Sequence, residues 1–163
     1  MSTGTRAVEA AHLATLSVLT AVTVVDPTAR LRSDPDWSGW LRGQQRVDRV
    51  MSRVAPPLYL SSVAAAAAAA LVAAGRRQPG LAVARAVAAG LVAWAVRVTL
   101  TVNAPENVRL RTWRPDDEPP VDWRAVRARW DEGHRRRQVL VAAAAGAAAL
   151  GEVATRTARG RHA

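Results

Sequence analysis

A chain of 163 residues is long enough for one domain with a real core and too short for two comfortable ones. Half of it is hydrophobic and it has no cysteine, which excludes disulfides and thiolate metal sites. The formal net charge of +10 comes from arginines interleaved with 13 acids, with no zinc-finger, RNP or recognition-helix pattern, and this distribution argues against a nucleic-acid partner.

Hydropathy predicts an all-α fold, a four-helix transmembrane bundle running up and down, with helices at about 7–25, 55–74, 81–102 and 130–155. The first apolar run lacks a small-residue cleavage site ahead of a soluble domain, so it reads as a retained helix. Between Arg53 and Arg76 lie 22 uncharged residues, against about 20 needed to cross the hydrocarbon core. The other runs are shorter or interrupted, as by Arg97 in the third, and a soluble Ala-rich bundle is the alternative. Against that alternative, the second and fourth segments are apolar around their whole circumference, which suits lipid better than the core of so small a protein. Integral placement in the cell inner membrane is the expectation. Ala-rich faces also permit homo-oligomers without specifying their number.

The GRRQPG run at Gly75 to Gly80 predicts a tight turn that makes helices two and three a hairpin. The other two connections, about 26–54 and 103–129, are long, charged and tryptophan-bearing, and both fall on one face as a polar cap. Trp37, Trp40, Trp113 and Trp123 are expected at headgroup level there. Arginine counts place these loops in the cytoplasm, but they carry most of the acids too, which leaves orientation open.

Two pairs, Glu9-x-x-His12 and Asp131-x-x-His134, have the acid–histidine spacing of di-metal bundles. Topology separates them: at about 1.5 Å rise per residue the two histidines lie on the order of 20 Å apart. His12 instead falls level with Glu152, so Glu9, His12 and Glu152 form either a local polar cluster or a solvated helix end.

The densest signal sits on the cap face. Trp123, Arg127, Trp130, His134 and Arg137 are spaced 4, 3, 4, 3 and form one continuous helical stripe. A structural seam carries Leu, Val or Ala at such positions, so indoles, an imidazole and a guanidinium point to a site. Across from it, Thr99, Asn103 and Glu106 share a helical face, and Pro105 predicts a kinked or unwound end to helix three. His134 is the best proton acceptor on this face.

The run T-x-x-x-N-x-P-x-N (Thr99, Asn103, Pro105, Asn107), followed by W-x-x-x-H-x-x-R (Trp130, His134, Arg137), resembles the anthrone-oxygenase-like family of small four-helix membrane proteins over about residues 90–145. The sequence departs from the family beside the proline, where Ala104 and Glu106 flank Pro105. The resemblance implies a membrane-embedded oxygenase that oxidises a flat, apolar, polyketide-derived anthrone with dioxygen as co-substrate. Under it His134, Asn103 and Arg137 are the catalytic residues, while Thr99, Asn107, Trp130, Trp113 and Glu106 hold the substrate. The scheme requires no organic cofactor. A copper or iron ion on His134 with Glu106 or Asp131 is the alternative, and a single nearby histidine makes it weaker. The rival reading from another class is a non-catalytic membrane protein, an accessory subunit or small transporter.

Overall fold

The computed structural model describes residues 3–161, and among them all regular structure is helical. Helix α1 (Thr3–Thr20) runs into a π-helical turn (Ala21–Val25), and a short 3-10 turn (Ala29–Arg32) follows. Then come α2 (Trp37–Gly75), α3 (Pro79–Val98), a second π-helical turn (Thr99–Asn103), α4 (Ala104–Thr112) and α5 (Trp123–Gly160). Counting each π turn with the helix it extends, four helical rods among the described residues are long and apolar enough to cross a membrane. Large side chains such as Leu60, Leu71, Trp94 and Leu150 lie exposed on their outer faces, as lipid contact allows.

Several of the expected boundaries move, and helix four begins at Trp123 rather than near 130. Helix two is expected from about residue 55, yet α2 starts at Trp37 and runs through Pro56 and Pro57. Helix three does not end near residue 102 either. The N–H of Ala104 reaches back to the carbonyl of Thr99, one residue further than in an α-helix, and this wider turn puts Pro105 in the first turn of α4, where proline is tolerated. Much of the stretches 26–54 and 103–129 is therefore helical extension of the rods, and the polar cap is built on these extensions.

The bundle core is made of small and branched residues: Leu16 and Leu19 of α1, Tyr59 of α2, Ala88, Val92 and Ala95 of α3, and Val141, Ala144 and Ala148 of α5. Close approach of backbones replaces large side chains here. The cap has its own core, in which Trp37, Trp40 and Trp123 are buried against Leu41, Leu110 and Val126. Trp37 meets Trp113 at 5.3 Å and Trp123 at 5.6 Å between ring centroids, so these indoles pack on one another rather than lining the headgroup layer singly.

Polar ties fix the cap over the rods. Gln45 donates from Nε2 to the carbonyls of Leu110 (2.8 Å) and Trp113 (2.9 Å), which joins α2 to the end of α4. Arg111 grips Asp48 with two hydrogen bonds of 2.6 and 3.1 Å. Arg109 donates to Asp122 at 2.8 Å and holds that carboxyl below the usual carboxylate range. The carbonyl of Leu31 lies where a Cβ on Gly43 would sit, so only glycine lets the 3-10 turn press this closely onto α2.

Candidate functional site

Beneath the cap, a cavity of about 480 Å³ opens between the rods. Both π-helical turns reach it, Val22 and Thr23 from the first and Thr99, Leu100 and Asn103 from the second. Such turns widen a helix by one residue and redirect the side chains that follow, which is why they recur at sites. Most of the lining surface is apolar, with Val47, Met51, Ala55 and Val96 contributing, and one group of polar side chains centres on Asp26 and His134.

Asp26 anchors that group. It follows the first π turn with φ 47°, a left-handed conformation that Asp adopts more readily than most residues, and it is nearly buried. Thr28 donates to its Oδ1 at 2.8 Å, and Arg32 forms an ion pair with its Oδ2. The same Oδ2 lies 2.9 Å from His134 Nε2, across 108 residues of sequence.

On the other side of the imidazole, Arg137 Nη2 is 3.0 Å from His134 Nδ1. A guanidinium only donates, so Nδ1 must accept and Nε2 must carry the proton that Asp26 receives. The result is a relay: Asp26 carboxylate, Nε2–H, imidazole ring, Nδ1 lone pair, Arg137. Trp130 stacks flat on the imidazole, 5.2 Å between centroids at 19°, and the Arg32 guanidinium lies 4.8 Å over the indole. One turn above, Trp130 Nε1 donates to Asn107 Oδ1 at 2.7 Å.

Asn103 is buried, and its Nδ2 donates to the carbonyl of Trp130 at 2.9 Å. Its Oδ1 has no partner and is buried against Gly133. Gly133 makes this contact feasible, because a Cβ there would sit 2.7 Å from Asn103 Oδ1 and 2.9 Å from Val102 Cγ1. Tyr59 adds a hydroxyl 3.2 Å from that of Thr23, while Thr99 turns its hydroxyl back to the carbonyl of Ala95 at 3.0 Å.

Of the residues expected from sequence, the structure brings His134, Arg137, Asn103, Asn107, Thr99 and Trp130 to one cavity. Glu106 and Trp113 do not line it. Glu106 is held by Arg129 at 2.6 Å and lies 3.7 Å from Arg109, which fastens α4 to α5. Trp113 belongs to the cap's aromatic cluster and faces a separate cleft. The trio His134, Glu106 and Asp131 is not brought together: Asp131 is 3.9 Å from Arg127, and among the described residues no group of three His, Cys, Asp or Glu side chains is placed to hold a metal ion. Sequence reasoning missed Asp26, Arg32, Tyr59 and Gly133. An acid straight after an apolar run reads as a helix boundary, and a glycine three residues from a tryptophan carries no signal by itself.

At the opposite end of the bundle, Glu9, His12 and Glu152 do gather, and Arg85 joins them. Arg85 donates to Glu152 at 2.6 Å and to the carbonyl of Ala69 at 3.1 Å, and it lies 3.8 Å from Glu9, which Arg76 also bridges at 2.9 Å. His12 is buried and neither of its ring nitrogens has a partner. His12 does not line the cavity beneath the cap.

A family model described as anthrone oxygenase matches residues 46–147, more than half of the chain, and takes in Asn103, Asn107, Trp130, His134 and Arg137. The chain belongs to the anthrone oxygenase family. Four long apolar helices and this membership together describe an oxygenase-like membrane protein. No curated protein and no solved structure matches the chain. Asp26 and Arg32 lie outside the matched segment, so the structure alone adds them to the site.

Proposed function

We propose that the cavity oxidises a flat, apolar anthrone-type phenol with dioxygen, in a polyketide pathway and in a bacterial inner membrane. The observation that carries this reading is the Asp26–His134–Arg137 relay on the wall of a mostly apolar cavity of about 480 Å³, a volume suited to a fused-ring substrate. Leu60, Leu100 and Val108 line the cavity and are also exposed on the outer surface, which supports entry from the bilayer.

In this scheme the substrate's rings lie along the apolar lining, and Arg137 turns from His134 to the ketone or phenol oxygen. That movement frees the Nδ1 lone pair, which takes a proton from the acidified methylene carbon. Asp26 holds Nε2–H and stabilises the imidazolium that forms, as a buried carboxylate does for a histidine base. Arg137 carries the charge developing on the oxygen in a site poor in water. Asn107 is then a polar wall, and Asn103, whose amide nitrogen donates to the Trp130 carbonyl, holds the His134-bearing helix in place rather than meeting an oxyanion. This reassigns the amide from charge stabilisation to orientation.

The enolate-like anion transfers electrons to dioxygen and forms a C–O bond, giving a hydroperoxide on the former methylene carbon after protonation. Loss of the second C–H proton with cleavage of the O–O bond leaves a ketone and one water. Substrate and dioxygen thus become anthraquinone and water in balance, and the base ends as it began. The test is oxygen uptake by the purified protein in nanodiscs with anthrone: His134→Ala is expected to abolish catalysed uptake while the protein extracts and unfolds normally. Retained turnover in that variant removes the base assignment and favours the non-catalytic reading.

A further inference from the structure

Next to the cavity lies a second cleft, of about 510 Å³ and mostly polar, at the joint between α2 and the end of α4. Arg49 and Arg53 of α2, Arg111 of α4 and Arg114 of the following turn wall it, with Trp113 at its side. Two acids stand against these four arginines, and both are already engaged. Asp48 is gripped by Arg111, and Asp116 is bridged by Arg42 at 3.3 Å. Among the described residues, no carboxylate pairs with Arg49, Arg53 or Arg114, so three arginines wall the cleft with their charge uncompensated.

Position adds a second argument. Asp48, Ser52 and Arg111 line both the cleft and the cavity, so the two spaces share a wall. The cleft also sits where α2 passes from the charged stretch ending at Arg53 into its uncharged run, which is the level of the polar–apolar boundary. Guanidinium groups at such a boundary suit an anionic oxygen group fixed to an apolar body, because the fork geometry grips carboxylate or phosphate while the body stays out of water.

We propose that this arginine-walled cleft binds the anionic oxygen group, carboxylate or phosphate, of an amphiphile whose apolar part lies in the neighbouring cavity or in the bilayer. Two sources present that chemistry: the acidic substituent of a flat aromatic molecule in the cavity, and the headgroup of an anionic lipid. The first source rests on the aromatic-substrate reading above and the second does not.

The experiment compares wild type with the triple variant Arg49→Gln, Arg53→Gln, Arg114→Gln, all exposed positions away from His134. In phosphatidylcholine nanodiscs, binding of anthracene-2-carboxylate and of neutral anthracene-2-methanol is read by fluorescence. In parallel, thermal unfolding is followed as phosphatidylglycerol replaces phosphatidylcholine. If the substrate is the source, wild type prefers the acid by about tenfold or more, the variant loses that preference, and the alcohol binds both alike, which also reports an intact fold. If lipid is the source, phosphatidylglycerol raises the unfolding temperature of wild type and not of the variant. Identical behaviour of the two proteins in both arms overturns the proposal. Failure of either aromatic compound to bind wild type counts against the aromatic-substrate reading, while the lipid arm still decides the cleft.

Discussion

One half-buried and one buried histidine sit in this small bundle, and they are built differently. His134 has both ring nitrogens engaged, one by Asp26 at 2.9 Å and one by Arg137 at 3.0 Å, and it lies on the wall of a cavity. His12 is buried at the other end, with neither nitrogen partnered and an Arg85–Glu152 ion pair in the same cluster. An ionisable group within a membrane bundle is a default candidate for function. The comparison shows that this default needs a second condition: directed partners that fix a tautomer, and a space for a reactant to meet the nitrogen so prepared. The cap end meets both, while at the far end His12 lacks directed partners and the charges around it tie α2, α3 and α5 together.

The sharpest way to separate the two ends is at Asp26, a positioning residue that acts through His134. Asp26→Asn keeps the size of the side chain and removes the charge that fixes Nε2–H, and kcat is expected to fall by about 100-fold or more with little change in KM, by analogy with other Asp–His pairs. A matching rise in KM would instead make Asp26 a substrate contact. At the far end, Arg85→Gln leaves Glu152 without its nearest cation and removes a buried donor to Ala69. It should cost about 3 kcal/mol of stability, seen as a lower unfolding temperature in detergent, with kcat unchanged. Smallest of all is His12→Leu, which replaces an unsatisfied buried ring by an apolar side chain: stability is expected to hold or rise slightly, and activity to stay at wild-type level. A loss of activity in His12→Leu would erase the distinction between the two ends.

The four rods were legible because long apolar runs survive almost any local irregularity. So was the core of the site, since Trp130, His134 and Arg137 break the Ala-Val-Leu pattern that the same helix adopts from Leu140 onward. The same stripe misled over its first turn. Trp123 packs into the cap's aromatic core, and Arg127 donates to the backbone of Asp34 at 2.8 Å, so helical spacing alone did not say where the cavity begins. Asp26 stayed hidden for a different reason. Its partnership with His134 depends on a π turn and a left-handed residue, local choices of backbone that no apolar period records. Glu106 shows the converse, a carboxylate with the right spacing for a site whose charge goes to Arg129 instead.

Proton abstraction at His134 is the step on which the cavity's assignment stands, and it can be observed apart from oxygen chemistry. Under anaerobic conditions in D2O, proton NMR follows exchange of the anthrone methylene hydrogens in the presence of wild type or His134→Ala. The account predicts exchange well above the protein-free background with wild type, and background exchange with His134→Ala. Equal rates for the two proteins would contradict it.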